Sequence, residues 1–194
     1  MRLNLRRLLI FLLILALSFG FGAAFDAVMT ALEKQEHPMP DIYVDAIRTY
    51  AAEYGVPEAM LWAMIKVRSG FESDLVGSNG AIGLFQLSPE RFADICERIL
   101  NEGTPETGML YFPEKNIECG AAYLSHLYSR FGVWETSYAA FACDEETVAA
   151  WLADPTLSTD RATLSVIPDA SVEAFVREIA KAQNAYTALY FSQT

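Results

Sequence analysis

The chain has 194 residues, 53% of them hydrophobic, and a formal charge of −11 from 14 basic and 25 acidic side chains. That length holds one buried core plus a short appendage, and so apolar and aromatic a composition excludes a disordered chain. Tight nucleic-acid binding is excluded too, because it needs clusters of Lys and Arg that this chain lacks.

The first element is a leader. Residues 1–24 hold Arg2, Arg6 and Arg7 and no acid, which leaves the remainder with 11 basic against 25 acidic side chains, a net −14. Arg6 and Arg7 precede an apolar run from Leu8 to Phe25, broken only by Ser18, Gly20 and Gly22. A basic start, an apolar centre and small residues at Gly22, Ala23 and Ala24 fit a signal peptide cut near Ala24. The run is also nearly long enough to span a bilayer, so segment 1–25 reads either as a signal peptide or as a signal anchor inserted through 8–25. The charge asymmetry argues against the remaining reading, a buried helix of a soluble domain. Both export readings predict a body outside the cytoplasmic membrane, secreted to the cell wall or membrane-anchored. Residues 26–40, ending in His37, Pro38, Met39 and Pro40, read as a linker.

From Asp41 the apolar period is helical. Ile42, Val44, Ala46, Ile47, Tyr50, Ala51 and Tyr54 form a stripe that Gly55 ends. Pro57 opens a second helix, in which Met60, Leu61, Met64, Ile65 and position 68 share the inward face, ending near Ser69 and Gly70. Glycines punctuate 70–88, predicting turns and short extended segments. Ser88, as N-cap before Pro89, opens a helix to about Leu100. Asn116 is expected to cap a helix that runs to Phe131. Ser137–Phe141, Glu145–Leu152 and Val172–Phe191 are three more helical stretches. The prediction is a mainly α domain over 41–194 with a small glycine-rich, extended insertion.

Position 68 breaks the apolar pattern, because it is Arg68. A cation there complements the helix C-terminal dipole while its stem lies on apolar surface. Cys96, Cys119 and Cys143 allow one disulfide and one free thiol, with the pairing undecided. His37 and His126 are the only histidines, no Cys/His spacing suits zinc, and no metal or other cofactor is predicted.

VRSGF (67–71), GAIGLFQLSP (80–89), YFPEKNIECGAAYL (111–124) and the run from Tyr138 to Leu152 resemble, in order and spacing, the lytic transglycosylase domain of the soluble lytic transglycosylase and g-type lysozyme group. Ile167, Pro168 and the helix ending at Tyr190 extend the likeness over 41–194. The resemblance implies a lysozyme-like α-helical fold and a cleft for the glycan strand of peptidoglycan. It also implies chemistry centred on one glutamate, which protonates the glycosidic oxygen and then takes a proton from the sugar's own 6-hydroxyl, giving an anhydro sugar. Most glycosidases use two carboxylates instead.

Alignment through Val67, Ser69 and Phe71 puts that glutamate's place at Arg68. A guanidinium stays charged and has no acceptor, so it neither gives nor takes a proton at neutral pH. Losing general acid–base help costs about 10²–10⁴ in rate, and a fixed cation opposes an oxocarbenium-like transition state. Where the family has a Tyr-Asn pair lining the cleft, this chain has Phe141 and Ala142, followed by Cys143 and Asp144. Where it has Glu-Thr before the last helix, this chain has Ser171 and Val172. Gly80, Gly83, Leu84, Asn116, Gly120 and Tyr123 remain as scaffold, with Phe85 in the place of a methionine.

The substrate-contacting candidates are Ser69, Phe85, Gln86, Tyr138 and Phe141. Gln86 either borders the cleft or satisfies loop backbone. Tyr111, Trp134 and Tyr138 lie near loops and are placed to stack on sugars or to sit at a rim, whereas Trp62 and Trp151 belong to the core. Glu72 is the one substitute acid near position 68. It acts as a replacement, pairs with Arg68 as Asp74 also could, or stays a solvated loop carboxylate.

Three functions follow. The first is a degenerate lytic-transglycosylase-like envelope protein that binds peptidoglycan glycan strands or scaffolds a cell-wall assembly with protein partners. The second is an active enzyme cleaving the MurNAc-GlcNAc bond through Glu72. The third is a protein-interaction module with a vestigial cleft.

Overall fold

The computed structural model describes residues 21–22 and 24–192. The leader expected over 1–25 lies almost wholly outside them, and no helix among the described residues is long and apolar enough to cross a membrane. The chain divides into two units between Pro38 and Met39. In the first, residues 24–36, most of them in the segment expected as a linker, are helical. The Glu33 carbonyl meets the His37 amide at 2.9 Å and its Nδ1 at 3.1 Å, closing the last turn.

The second unit is a helical body. α1 (Asp41–Tyr54) buries Tyr43, Ile47 and Ala51, and Gly55 ends it by donating to the Ala51 carbonyl. α2 (Glu58–Ser69) differs from the one-sided stripe expected of it: every residue from Ala59 to Ile65 is buried. It is the central helix, so its apolar content runs all round and periodicity understates its burial. Trp62 is wholly buried within it, and its Nε1 donates to Glu58 Oε1 at 3.3 Å.

The glycine-rich stretch folds as predicted into turns, tied by antiparallel bridges from Val76 to Ile82 and from Ile82 to Leu87. α3 (Pro89–Asp94) follows, with Ser88 Oγ accepting from the Arg91 amide at 3.2 Å, and the chain continues as a π-helical segment over Ile95–Leu100. A 3-10 turn (Thr107–Tyr111) leads to α4 (Pro113–Phe131), then come α5 (Trp134–Ala142) and α6 (Glu145–Ala153). α7 (Ala170–Tyr186) ends in a π-helical segment, Thr187–Phe191. α2 packs on α7 and α1, α4 on α1 and α5, and α5 on α7 and α6. Cys96, Cys119 and Cys143 are all free thiols, the first two fully buried.

One capping expectation is corrected. α4 begins at Pro113, so Asn116 is not its cap but lies inside it, with no exposed surface. Its Oδ1 accepts from the Phe85 amide at 2.7 Å, and its Nδ2 donates to the carbonyls of Ile82 and Leu110, both at 3.0 Å. One amide therefore pins the glycine-rich loop to α4 with three of the four hydrogen bonds it can make. Two glycines make the approach close enough. A Cβ on Gly83 would stand 2.3 Å from Asn116 Nδ2, and one on Gly120 would stand 2.3 Å from the Phe85 ring. Any larger side chain would push the loop off the helix.

Candidate functional site

α2 ends by delivering Arg68 to the pinned loop. Its Nε donates to the Phe85 carbonyl at 3.2 Å and its Nη2 to the Gln86 carbonyl at 2.7 Å. The guanidinium carbon also lies over the rings of Phe141 and Phe175, 5.6 and 5.7 Å from their centroids. Such aromatic faces stabilise a cation through their quadrupoles. Burial foremost, and then the neighbouring charge of Arg91, draw the Arg68 pKa below its usual value.

Arg91 comes from the first turn of α3. It reaches across to the end of α5, with Nη1 donating to the Phe141 carbonyl at 2.9 Å and Nη2 to that of Cys143 at 2.8 Å. Its guanidinium lies 5.0 Å from the Tyr123 ring centroid. Burial is the main cause that pushes the Tyr123 phenol up to about 12, with Arg91 pulling the other way. Arg91 thus completes the C-terminal end of α5, whose last carbonyls have no helical partner.

Arg68 and Arg91 line one cavity of about 180 Å³ together with Gln86, Ser88, Phe141 and Cys143, and no carboxylate lines it. Ser88 and Arg91 also line a larger adjoining cavity of about 730 Å³, whose walls are mixed in charge. There Arg130 pairs with Glu145 and Glu146, and His126 Nε2 stands 3.4 Å from Glu145. Asp144 caps α6, and its carboxyl is held below the usual range mainly by hydrogen bonds from Thr147. Of the two cavities, the smaller contains position 68.

The family model of the transglycosylase SLT domain matches residues 45–162, which include α2, the pinned loop and α3 to α6. The chain belongs to the SLT transglycosylase domain family. The membrane-bound lytic murein transglycosylase C of Edwardsiella ictaluri is 30% identical over 125 residues, 63% of this chain and 34% of that protein. Its namesake from Yersinia pestis (strain Pestoides F) is 33% identical over 101 residues, 52% of this chain and 27% of the relative. The chain therefore spans about a third or less of the curated relatives it matches. Among solved structures, the 70 kDa soluble lytic transglycosylase of Escherichia coli superposes with a TM-score of 0.72 at 22% identity, over 82% of this chain and 26% of that one. An inactive mutant of the lytic transglycosylase Slt from Pseudomonas aeruginosa gives 0.66 at 25%, over 78% and 24%. The lysozyme-like, mainly α fold expected from the sequence is thereby shown.

Within this SLT domain the expected site residues separate. Arg68, Gln86 and Phe141 meet at the small cavity. Gln86 holds loop backbone, its Nε2 donating to the carbonyls of Leu75 and Gly83, both at 2.9 Å. Ser69 is buried; its Oγ donates to the Ile65 carbonyl and accepts from the Phe71 amide, closing α2. Two placements correct the expectation of sugar contact. Phe85 is fully buried against Gly120 and Phe141, where the pinned loop needs a wedge. Tyr138 is 1% exposed, and its hydroxyl donates to Gln183 Oε1 at 2.6 Å, because the inner face of α5 points at α7.

Neither Glu72 nor Asp74 pairs with Arg68: both are exposed, and the cation's hydrogen bonds go to backbone carbonyls. Glu72 does not line the small cavity. Trp134 stacks on Tyr128 with centroids 3.9 Å apart, and Tyr111 is exposed. Arg91 and Phe175 were not singled out from the sequence. Arg91 did carry a signal, since a cation in the first helical turn opposes the dipole and calls for another partner. Phe175 carried none, because it reaches Arg68 only through the packing of α7 on α2.

Proposed function

We propose that this SLT domain acts outside the cytoplasmic membrane as a binding member of its family, holding peptidoglycan glycan strands without cleaving them by the family's acid–base route. The observation that carries the reading is the cavity at the end of α2, which is lined by Arg68 and Arg91 and by no carboxylate. By resemblance, position 68 is that of the proton-transferring glutamate. A guanidinium locked onto two carbonyls offers no acceptor for a glycosidic or hydroxyl proton. The basic apolar leader and the relatives named as membrane-bound lytic murein transglycosylases support an envelope location. Two adjoining cavities of about 730 and 180 Å³, both with polar side chains in their walls, support a strand rather than a small ligand.

The test is a paired assay of the full chain on purified sacculi. Co-sedimentation without soluble 1,6-anhydro-muropeptides is expected. Anhydro products that vanish in Glu72→Gln would overturn the reading in favour of a substitute acid. Neither products nor co-sedimentation would leave the domain as a protein-interaction module of an envelope assembly.

A further inference from the structure

We propose that the small cavity is an oxyanion receptor: Arg68 and Arg91 together hold a carboxylate or phosphate carried by a cell-wall polymer. The cell-wall source rests on the function proposed above; the receptor itself rests on geometry.

Both guanidiniums line one cavity of about 180 Å³, enough for an oxyanion with part of its carrier. Their assigned hydrogen bonds all go to neutral backbone carbonyls, those of Phe85 and Gln86 for Arg68 and of Phe141 and Cys143 for Arg91. These bonds orient the cations without bringing a formal negative charge to either. Among the described residues no carboxylate lies within ion-pair distance of either, although the chain has 25 acidic side chains. Asp144 acts on Arg91 only from a longer range, through its charge.

A guanidinium carries five N–H donors in a planar fork, so each retains donors beyond the two in use. Two guanidiniums lining one space supply the kind of donor that favours carboxylates and phosphates. Burial and the like charge of its neighbour both disfavour the ionised form of Arg68, so an anion would relieve a cost that the folded chain already carries. Ser88 adds a hydroxyl on the same wall. A strongly acidic body has no general attraction for an anionic wall, and this pair supplies a local one.

The probe is inorganic phosphate, titrated against the full chain at constant ionic strength while the melting temperature is followed. Wild type should show a saturable rise, whereas Arg68→Gln should bind about tenfold more weakly, the loss expected of one charge-assisted fork. Arg68→Lys keeps the charge without the fork and should fall between them. Because phosphate also stabilises proteins by exclusion from their surface, the difference between variants is the readout. Equal responses in wild type and Arg68→Gln would overturn the receptor.

Competition gives a second measurement that does not depend on the variant's folding: phosphate should release wild type from sacculi. Retained sacculus binding with no phosphate effect would remove the receptor and keep the glycan-binding reading. Phosphate binding through Arg68 with no sacculus binding would do the reverse. Sacculi stripped of phosphodiester polymers with hydrofluoric acid separate the sources. Phosphate-sensitive binding that survives stripping points to peptide-stem carboxylates, and phosphate-sensitive binding that is lost points to phosphate.

Discussion

Asn116 and Arg68 both bind one loop and use it in opposite ways. Asn116 satisfies the amide of Phe85 and the carbonyls of Ile82 and Leu110, so it fixes where the loop lies. Arg68 takes the carbonyls of Phe85 and Gln86, so the loop in turn fixes where the cation lies. Asn116→Ala removes the side-chain partner of the Phe85 amide and of the Leu110 and Ile82 carbonyls, of which Ile82 keeps the Leu87 amide, and we expect a loss of about 3 kcal/mol in urea unfolding. Since the same loop orients Arg68, the variant should also weaken phosphate binding. An unchanged unfolding midpoint would show that the loop is held by other contacts. Gln86 illustrates the same division of labour, since its side chain serves Leu75 and Gly83 while its carbonyl serves Arg68.

At the scale of elements, α3 is short and depends on its first turn. Ser88 caps it and Pro89 presets it, and Arg91, the third residue of the helix, crosses to the end of α5. Ser88→Ala should cost about 1 kcal/mol of stability by the usual worth of such a cap. Because α3 carries Arg91, the loss should be accompanied by weaker binding of phosphate.

Helix ends of this kind were legible in the sequence. Gly55, Ser88 and Pro89 mark boundaries by local chemistry, and the structure puts the boundaries there. The start of α4 was not legible, because Phe112 and Pro113 offer no capping side chain while Asn116 imitates one. The full burial of α2 was hidden too, since periodicity detects a face and this helix has none. Position 68 was legible as an anomaly and, through the family's motif, as the candidate site. Its partners were not, because hydrogen bonds to carbonyls leave no trace in side-chain identity, and Phe175 lies more than 100 residues away in sequence.

For the molecule as a whole, the acidic excess is organised partly as loop and helix-start carboxylates. Asp144, Asp154, Asp160 and Asp169 each accept hydrogen bonds from nearby amides or hydroxyls, which lower their pKa values below the ordinary 3.8, to about 2 for Asp160. A carboxyl with a depressed folded pKa stabilises the fold above its unfolded value, and that contribution disappears as pH falls through the folded one. The melting temperature should therefore drop on acidification from about pH 4 towards pH 2, and Asp160→Asn should flatten part of the drop. A profile indifferent to that substitution would mean that the turn at Asp160 survives protonation.

The wider account is that an SLT domain has kept its scaffold while a cation stands where the resemblance places the family's acid. The most direct test is the product of wild-type full chain on purified sacculi, measured by mass spectrometry beside an active lytic transglycosylase as positive control. The account predicts 1,6-anhydro-muropeptides no higher than in buffer. Their accumulation with time, and its loss in Glu72→Gln, would contradict it.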